Sequence, residues 1–232
     1  MLGGYKKMIG NIVLPNGIKR GNPLDDYFDP ITHTATEANF IRFLEAGIYT
    51  SDVIGYKVIL SNSIDYNNGI WIIADVNHDS INTGQTNCYD LISEKSFSYG
   101  RYPNTTTYRN GNIRSWLVNT FYPGFSANIK SHVLNIKYYS NGSWYSDDNI
   151  VLISHIETGG TETDVIEGVK YPIFTDNASR IKYSFTDGAV HWWWTRTRGT
   201  QWVMPCVTDT GGYDAAGYDW ATLGTVPIIR IH

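Results

Sequence analysis

The spacing of apolar side chains changes period several times along this chain, and each change marks an element. Residues 53–60 and 69–76 alternate apolar and polar positions with a period of two, the pattern of strands with one buried face. Asn67-Asn68-Gly69 between them has turn composition, so the two strands read as a hairpin. From Ile113 the period lengthens to that of a helix. Ile113, Trp116, Leu117, Thr120 and Phe121 form one stripe, with Asn112 placed to cap it and Pro123-Gly124 to end it. Ser126 opens a second short helix carrying Ile129, Val133 and Leu134. Another short helix is expected after Thr34-Ala35-Thr36-Glu37, which has the spacing of a capping box; Phe40, Ile41, Phe43 and Leu44 form its apolar face and Gly47 its stop. Residues 149–154 read as a compact apolar strand, followed by further strands and loops. Helices in the middle with strands before and after indicate an α+β domain, not alternating βα units.

Residues 1–33 carry no sustained period, because Pro15-Asn16-Gly17, Gly21-Asn22-Pro23 and Asp29-Pro30 interrupt it, leaving room only for a short strand near residues 11–14. Such a segment does not fold alone and is expected to pack on the main domain or on another chain. The chain therefore divides into an N-terminal arm with a short helix, residues 1–47, suited to attachment and oligomer contacts, and a main domain, residues 48–232.

Trp192, Trp193 and Trp194 are consecutive. Side chains alternate along a strand, so Trp192 and Trp194 share one side and Trp193 takes the other, which anchors that strand on both faces. Residues 199–223 differ in kind. Gln201, Trp202, Asp209, Tyr213, Asp214, Tyr218, Asp219 and Trp220 are interleaved there with Gly211, Gly212 and Gly217. That is the makeup of recognition loops, in which rigid amphipathic rings supply contact area and Asp or Gln supplies hydrogen bonds. These eight are the candidate ligand-binding residues; the plain alternative is a polar connection between strands.

With 232 residues, the chain can hold one large domain and an extension. A hydrophobic fraction of 42% against 17% charged, with 17 Tyr and 8 Trp, indicates a folded β-rich protein. A net charge of −4 gives no electrostatic case for a nucleic-acid partner. No stretch approaches the roughly 20 apolar residues of a membrane span, and none has the form of a signal peptide, so a soluble protein made in a cytoplasm is expected.

Asp75, Asn77 and Asp79 stand at positions 1, 3 and 5 of a calcium-loop opening, but Ser80 replaces the turn glycine and Thr86 the bidentate acid. A turn held by Asx-type hydrogen bonds is favoured over a Ca²⁺ site, and no cofactor is expected. His33, His78, His132, His155, His191 and His232 form no ligand pair at helical spacing, and there is no nucleophile elbow. Cys88 and Cys206 have neither disulfide-framework nor zinc spacing and read as two free buried thiols.

Several markers recur in order: residues 71–79, Asp90-Leu91-Ile92-Ser93, Ile113-Arg114-Ser115-Trp116-Leu117, Ile150-Val151-Leu152-Ile153-Ser154, Trp192-Trp193-Trp194-Thr195-Arg196, and the terminal Val226-Pro227-Ile228-Ile229-Arg230-Ile231. The series resembles, over about residues 50–232, a domain family of unknown function found in bacteriophages and low-GC Gram-positive bacteria. Val226-Pro227 stands where that family has Arg-Pro, and Thr197-Arg198 where Ser-Pro often follows. The family looks like a relative of the C-type-lectin-like fold, shared with formylglycine-generating enzymes and phage receptor-binding proteins, which implies an α+β core of short twisted antiparallel sheets with two main helices. The resemblance implies a non-enzymatic virion protein (tail, fibre or capsid decoration) assembled in the host cytoplasm. It further implies an arm that contacts other virion proteins, a C-terminal face for a host glycan or protein, and a homo-oligomer. The other readings it allows are a formylglycine-type oxidase, which would need Cys88 and Cys206 at one site, and a bacterial surface adhesin.

Overall fold

The period-two run at residues 69–76 is the longest strand among the described residues, and the main sheet grows on both sides of it. The structure is a computed structural model and describes residues 22–63, 69–101, 107–140, 142–161, 167–199, 203–217 and 222–232. In chain order the first elements are β1 (Thr34–Thr36), α1 (Glu37–Glu45), β2 (Lys57–Leu60), β3 (Gly69–Val76), α2 (Ser80–Thr83), β4 (Tyr89–Ser93) and β5 (Phe97–Arg101). Next come α3 (Asn112–Trp116), α4 (Ala127–His132), β6 (Val133–Leu134), β7 (Ile136–Ser140), β8 (Ser143–Asp148), β9 (Ile150–Leu152) and α5 (Asn177–Arg180). The chain closes with β10 (Trp193–Trp194), β11 (Val203–Val207), β12 (Tyr213–Gly217), β13 (Thr222–Thr225) and β14 (Pro227–Ile231). The class is α+β, with several sheets and few helices.

Among the described residues the strands form three sheets. The main one runs β1-β2-β3-β4-β14-β6, with β9 also on β14; the second runs β12-β11-β10-β13-β5; β7 and β8 form a hairpin of their own. Most neighbours are antiparallel, while β1 with β2 and β10 with β13 are parallel. Every side chain of β4 and of β14 is buried, which explains why both read as apolar runs without alternation. β14 is flanked by β4 on one side and by β9 then β6 on the other, so the last strand of the chain lies in the interior of the sheet.

The expected hairpin of residues 53–60 with 69–76 forms, although Val53 belongs to a preceding 3₁₀ turn and residues 67–68 lie outside the described residues. α4 is capped by Ser126, whose hydroxyl accepts from Ile129 N at 3.1 Å, so the helix opens where expected. Three readings are corrected. Thr34 is a β1 residue paired with Lys57, and the cap of α1 is Thr36; the Glu37 carboxylate accepts from Ser61 N and Ser126 Oγ instead of closing a capping box. Asn112 is the first helical residue, not the cap, and the stripe continues from α3 through a π turn, Leu117–Phe121, into a 3₁₀ turn, Tyr122–Gly124. Val133 and Leu134 leave the helix because Ile231 and Arg230 of β14 take them as strand partners.

The described part of the N-terminal segment is built into the same core. Phe28 packs edge-on to Phe40, Phe43 and Tyr56, with Leu24, Ala35 and Leu44 buried alongside. Residues 1–21 of the expected arm lie outside the described residues.

Candidate functional site

Trp193 and Trp194 are fully buried on the two faces of β10, and Trp193 Nε1 donates to Arg180 O at 3.1 Å. The strand ends at once, and the chain crosses to the main sheet, where Arg196 N donates to Ile153 O at 2.9 Å. This delivers the Arg196 guanidinium to Glu157, with both carboxylate oxygens at 2.6 Å, and to the carbonyls of Leu152 at 2.7 Å and Glu167 at 3.0 Å. Ser154 N donates to the same carboxylate at 2.9 Å, and the Thr197 hydroxyl donates to the Glu167 carboxylate. Gly168 makes this approach possible: its φ is +111°, and a Cβ there would stand 2.7 Å from Glu157 Oε1.

A second fork lies across β14 and β4, where register sets Arg230 opposite Asp90. Arg230 Nε and Nη2 donate to the two Asp90 oxygens at 2.6 and 2.7 Å, and Nη1 to Gln85 Oε1 at 2.5 Å. Tyr171 adds its hydroxyl to Asp90 at 2.6 Å, and the His78 ring stacks on Tyr171 with centroids 3.6 Å apart. Burial pushes the Asp90 carboxyl up, but the Arg230 charge and its hydrogen bonds, helped by His78 and Tyr171, hold it below the ordinary carboxylate range. A third fork joins Arg114 to Asp148 at 2.7 and 2.6 Å, with Tyr138 Oη donating to Asp148 at 2.6 Å. The first two forks border a partly open space of about 10 Å³, lined also by Lys137 and Trp144. That is at most the size of one water, so these charges serve each other and not a ligand. The arginines stood out in the sequence; Glu157, Glu167 and Asp148 did not. A buried arginine requires a carboxylate, and that was the available signal for them.

The candidate ligand-binding residues separate. Residues 199–223, read as loops, contain the β11–β12 hairpin and the start of β13, so Tyr213 and Asp214 are strand residues. Tyr213 donates to Thr158 O at 2.9 Å and is held between the His155 ring and the Arg180 guanidinium. Asp214 is exposed and accepts from Ala215 N at 2.7 Å. Asp209 is exposed at the hairpin turn, where Trp192 Nε1 reaches it at 3.2 Å. Gln201, Trp202, Tyr218, Asp219 and Trp220 lie outside the described residues.

In the calcium-like segment, Asp75 faces His78 Nδ1 at 2.8 Å, Asn77 accepts from Cys88 N at 3.2 Å, and Asp79 accepts from Asn82 Nδ2 at 2.7 Å. Their side chains are engaged by the protein in Asx-type contacts. Among the described residues no group of three or more His, Cys, Asp or Glu side chains is placed to hold a metal ion, and no helix is long and apolar enough to cross a membrane. Cys88 and Cys206 are free and fully buried, one ahead of β4 and the other in β11 of the second sheet. Burial pushes their thiols up to about 11 and about 12.

Residues 81–231 match the family described as Domain of unknown function (DUF6273). The chain belongs to that family. The DUF6273 span holds both partners of all three forks and ends on the last residue of β14, yet it leaves out β1, β2 and β3, which complete the main sheet. The forks therefore belong to the family's part of the chain, and the preceding strands extend its sheet. No curated protein and no solved structure matches the chain.

Proposed function

We propose that this DUF6273 chain is a non-enzymatic display domain of a bacteriophage particle, a tail, fibre or capsid-decoration component of C-type-lectin-like architecture. The carrying observation is the division of its charges. The motif arginines are spent on buried forks, while Asp209 and Asp214 stand exposed on the β11–β12 hairpin beside Trp192 and Tyr213. Such a rigid frame with a polar-aromatic rim suits recognition of a host glycan or protein. The motif resemblance supports the virion setting, the lectin-like comparison, an N-terminal arm, residues 1–47, for contacts to other virion proteins, and assembly as a homo-oligomer. The oxidase alternative needs both thiols at one site as reactive thiolates. Burial of each thiol, which raises both above the ordinary thiol range, counts against it.

Mass spectrometry of purified phage particles is expected to find the chain. Trp202→Ala, Trp220→Ala and Asp209→Ala are each expected to weaken binding of the purified protein to host cell walls by about tenfold, the loss of one good contact, at unchanged melting temperature. Absence from particles overturns the virion setting. Unchanged binding in all three variants overturns the placement of the ligand face.

A further inference from the structure

The second sheet ends on β12, whose outer side has no strand partner among the described residues. Hydrogen bonds within the sheet fix which backbone groups of β12 face outward. Pro205 turns its carbonyl toward β10, where Thr195 N and Thr195 Oγ1 donate to it at 3.3 and 2.9 Å. In an antiparallel ladder, residues directly opposite each other turn their N–H and C=O either toward one another or both away. Ala215 lies opposite Pro205, so its N–H and C=O point away from β11. The hairpin turn agrees: Thr208 N donates to Gly212 O at 2.9 Å, which puts residues 212, 214 and 216 on the inner side. Tyr213, Ala215 and Gly217 therefore present their backbone groups to the outside.

Such an edge is self-complementary. A second copy laid antiparallel about a two-fold axis at Ala215 brings Tyr213 opposite the second copy's Gly217 and Ala215 opposite its own counterpart. In that arrangement facing residues exchange both N–H···O bonds. Open edges of this kind recruit strands unless something blocks them. Asp214 and Ala215 are both exposed, so no neighbouring segment covers the edge there. The block is Asp214 itself. Its Oδ1 accepts from Ala215 N at 2.7 Å and so occupies the central donor of the edge. In a pair of copies the two Asp214 side chains would also be diagonal neighbours on one face, about 7–8 Å apart, where like charges repel.

We infer that Asp214 is an edge guard: its carboxylate closes β12 to strand addition, and the partner it excludes is β12 of a second copy of this chain. The role goes beyond the display reading and does not depend on it, because it rests on the ladder and on one side-chain bond.

The test is sedimentation velocity of the intact chain from about 10 µM to about 1 mM, a range that reaches weak pairing, together with NMR exchange of the Ala215 amide. Asp214→Ala frees the central donor in each copy and removes both charges. It is expected to associate beyond the wild-type state at concentrations at least about tenfold lower than the wild type does. Exchange of its Ala215 amide should slow as concentration rises. Asp209→Ala removes the same charge from the same hairpin but frees Trp192 Nε1 instead of an edge N–H, and should sediment as the wild type. Asp214 is exposed, so its replacement leaves the core intact. Asp214→Ala sedimenting as the wild type up to about 1 mM overturns the inference. Association with unchanged Ala215 exchange places the contact elsewhere and overturns it too, and equal association in Asp209→Ala would assign the effect to lost charge, with no guard at β12.

Discussion

Arg230 and Asp90 meet across β14 and β4 with side chains 2% and 1% exposed, whereas Arg109 and Asp147 meet at the surface with side chains 23% and 53% exposed. Each is a guanidinium on a carboxylate, with two contacts between them. Inside, both charges have lost their water and each depends on the other, with Tyr171 and Gln85 occupying remaining sites. Outside, solvent screens the pair and would hydrate either partner alone. Alternation along β8 makes the same contrast between neighbours, since Asp148 points inward to Arg114 and Tyr138 while Asp147 points outward. Identical chemistry is thus structural in one place and nearly free to change in the other, and burial alone decides which.

The sharpest way to break this comparison is to remove one buried partner. Arg230→Met and Arg196→Met should each lose about 3–5 kcal/mol in urea unfolding, because a carboxylate stays behind without its cation. Asp90→Leu combined with Arg230→Met should recover part of that loss, since no charge is then stranded. Acid provides an independent check. Asp90 has a folded-state pKa below its unfolded value, so its contribution is complete above the ordinary carboxylate pKa of about 3.9 and fades as pH falls through the folded value. If Arg230→Met cost no more than Arg109→Met, burial would not be the deciding variable.

These forks also show what sequence could and could not reveal. Trp193, Trp194, Arg196 and Arg230 were visible as motif residues, and local signals placed β3 and the Ser126 cap, because period and capping depend on near neighbours. The pairings were hidden: Asp90, itself a motif residue, is joined to Arg230 through strand register between distant segments, and Glu157, which no motif marked, to Arg196 through an irregular crossing. The β11–β12 hairpin was misread as loop for a similar reason. Pro205 lies in an interior strand, where proline is disfavoured; its carbonyl is used by Thr195 N and Thr195 Oγ1, and its missing N–H is tolerated there. Of the eight candidate ligand-binding residues, Asp209 and Asp214 are exposed on that hairpin and Tyr213 is partly buried in it.

Lys182 sharpens the comparison with an intermediate effect, as a buried charge whose hydrogen bond among the described residues goes to a carbonyl. It is 3% exposed, and its Nζ donates to Ser93 O at 2.9 Å. Burial lowers its pKa to about 8, against which the more distant Glu94 charge acts only in part. The folded state therefore gives up its proton earlier than the unfolded state, and stability from this group rises with pH from about 8 towards the unfolded value of about 10.4. Lys182→Met should gain on the order of 1–3 kcal/mol at pH 7, and the advantage should shrink as pH approaches 10. Urea unfolding of both proteins at pH 7, 8.5 and 9.5 measures it. A gap that stays constant with pH would mean that the amine does not titrate in the folded protein within that range.

The smallest effect belongs to the exposed fork. Asp147→Asn removes the carboxylate facing Arg109, but Arg109 keeps Tyr138 Oη at 3.3 Å and lies over the Tyr145 ring at 4.4 Å. Solvent can hydrate what remains, so the loss in urea unfolding should be below about 1 kcal/mol and should diminish further as salt is raised. Asp148→Asn, one residue along the same strand, keeps a similar shape but empties the buried end of Arg114, and should cost several times more. Equal losses at these two adjacent positions would show that Asp147 is as tightly coupled to its arginine as Asp148, and would erase the distinction that burial draws between them.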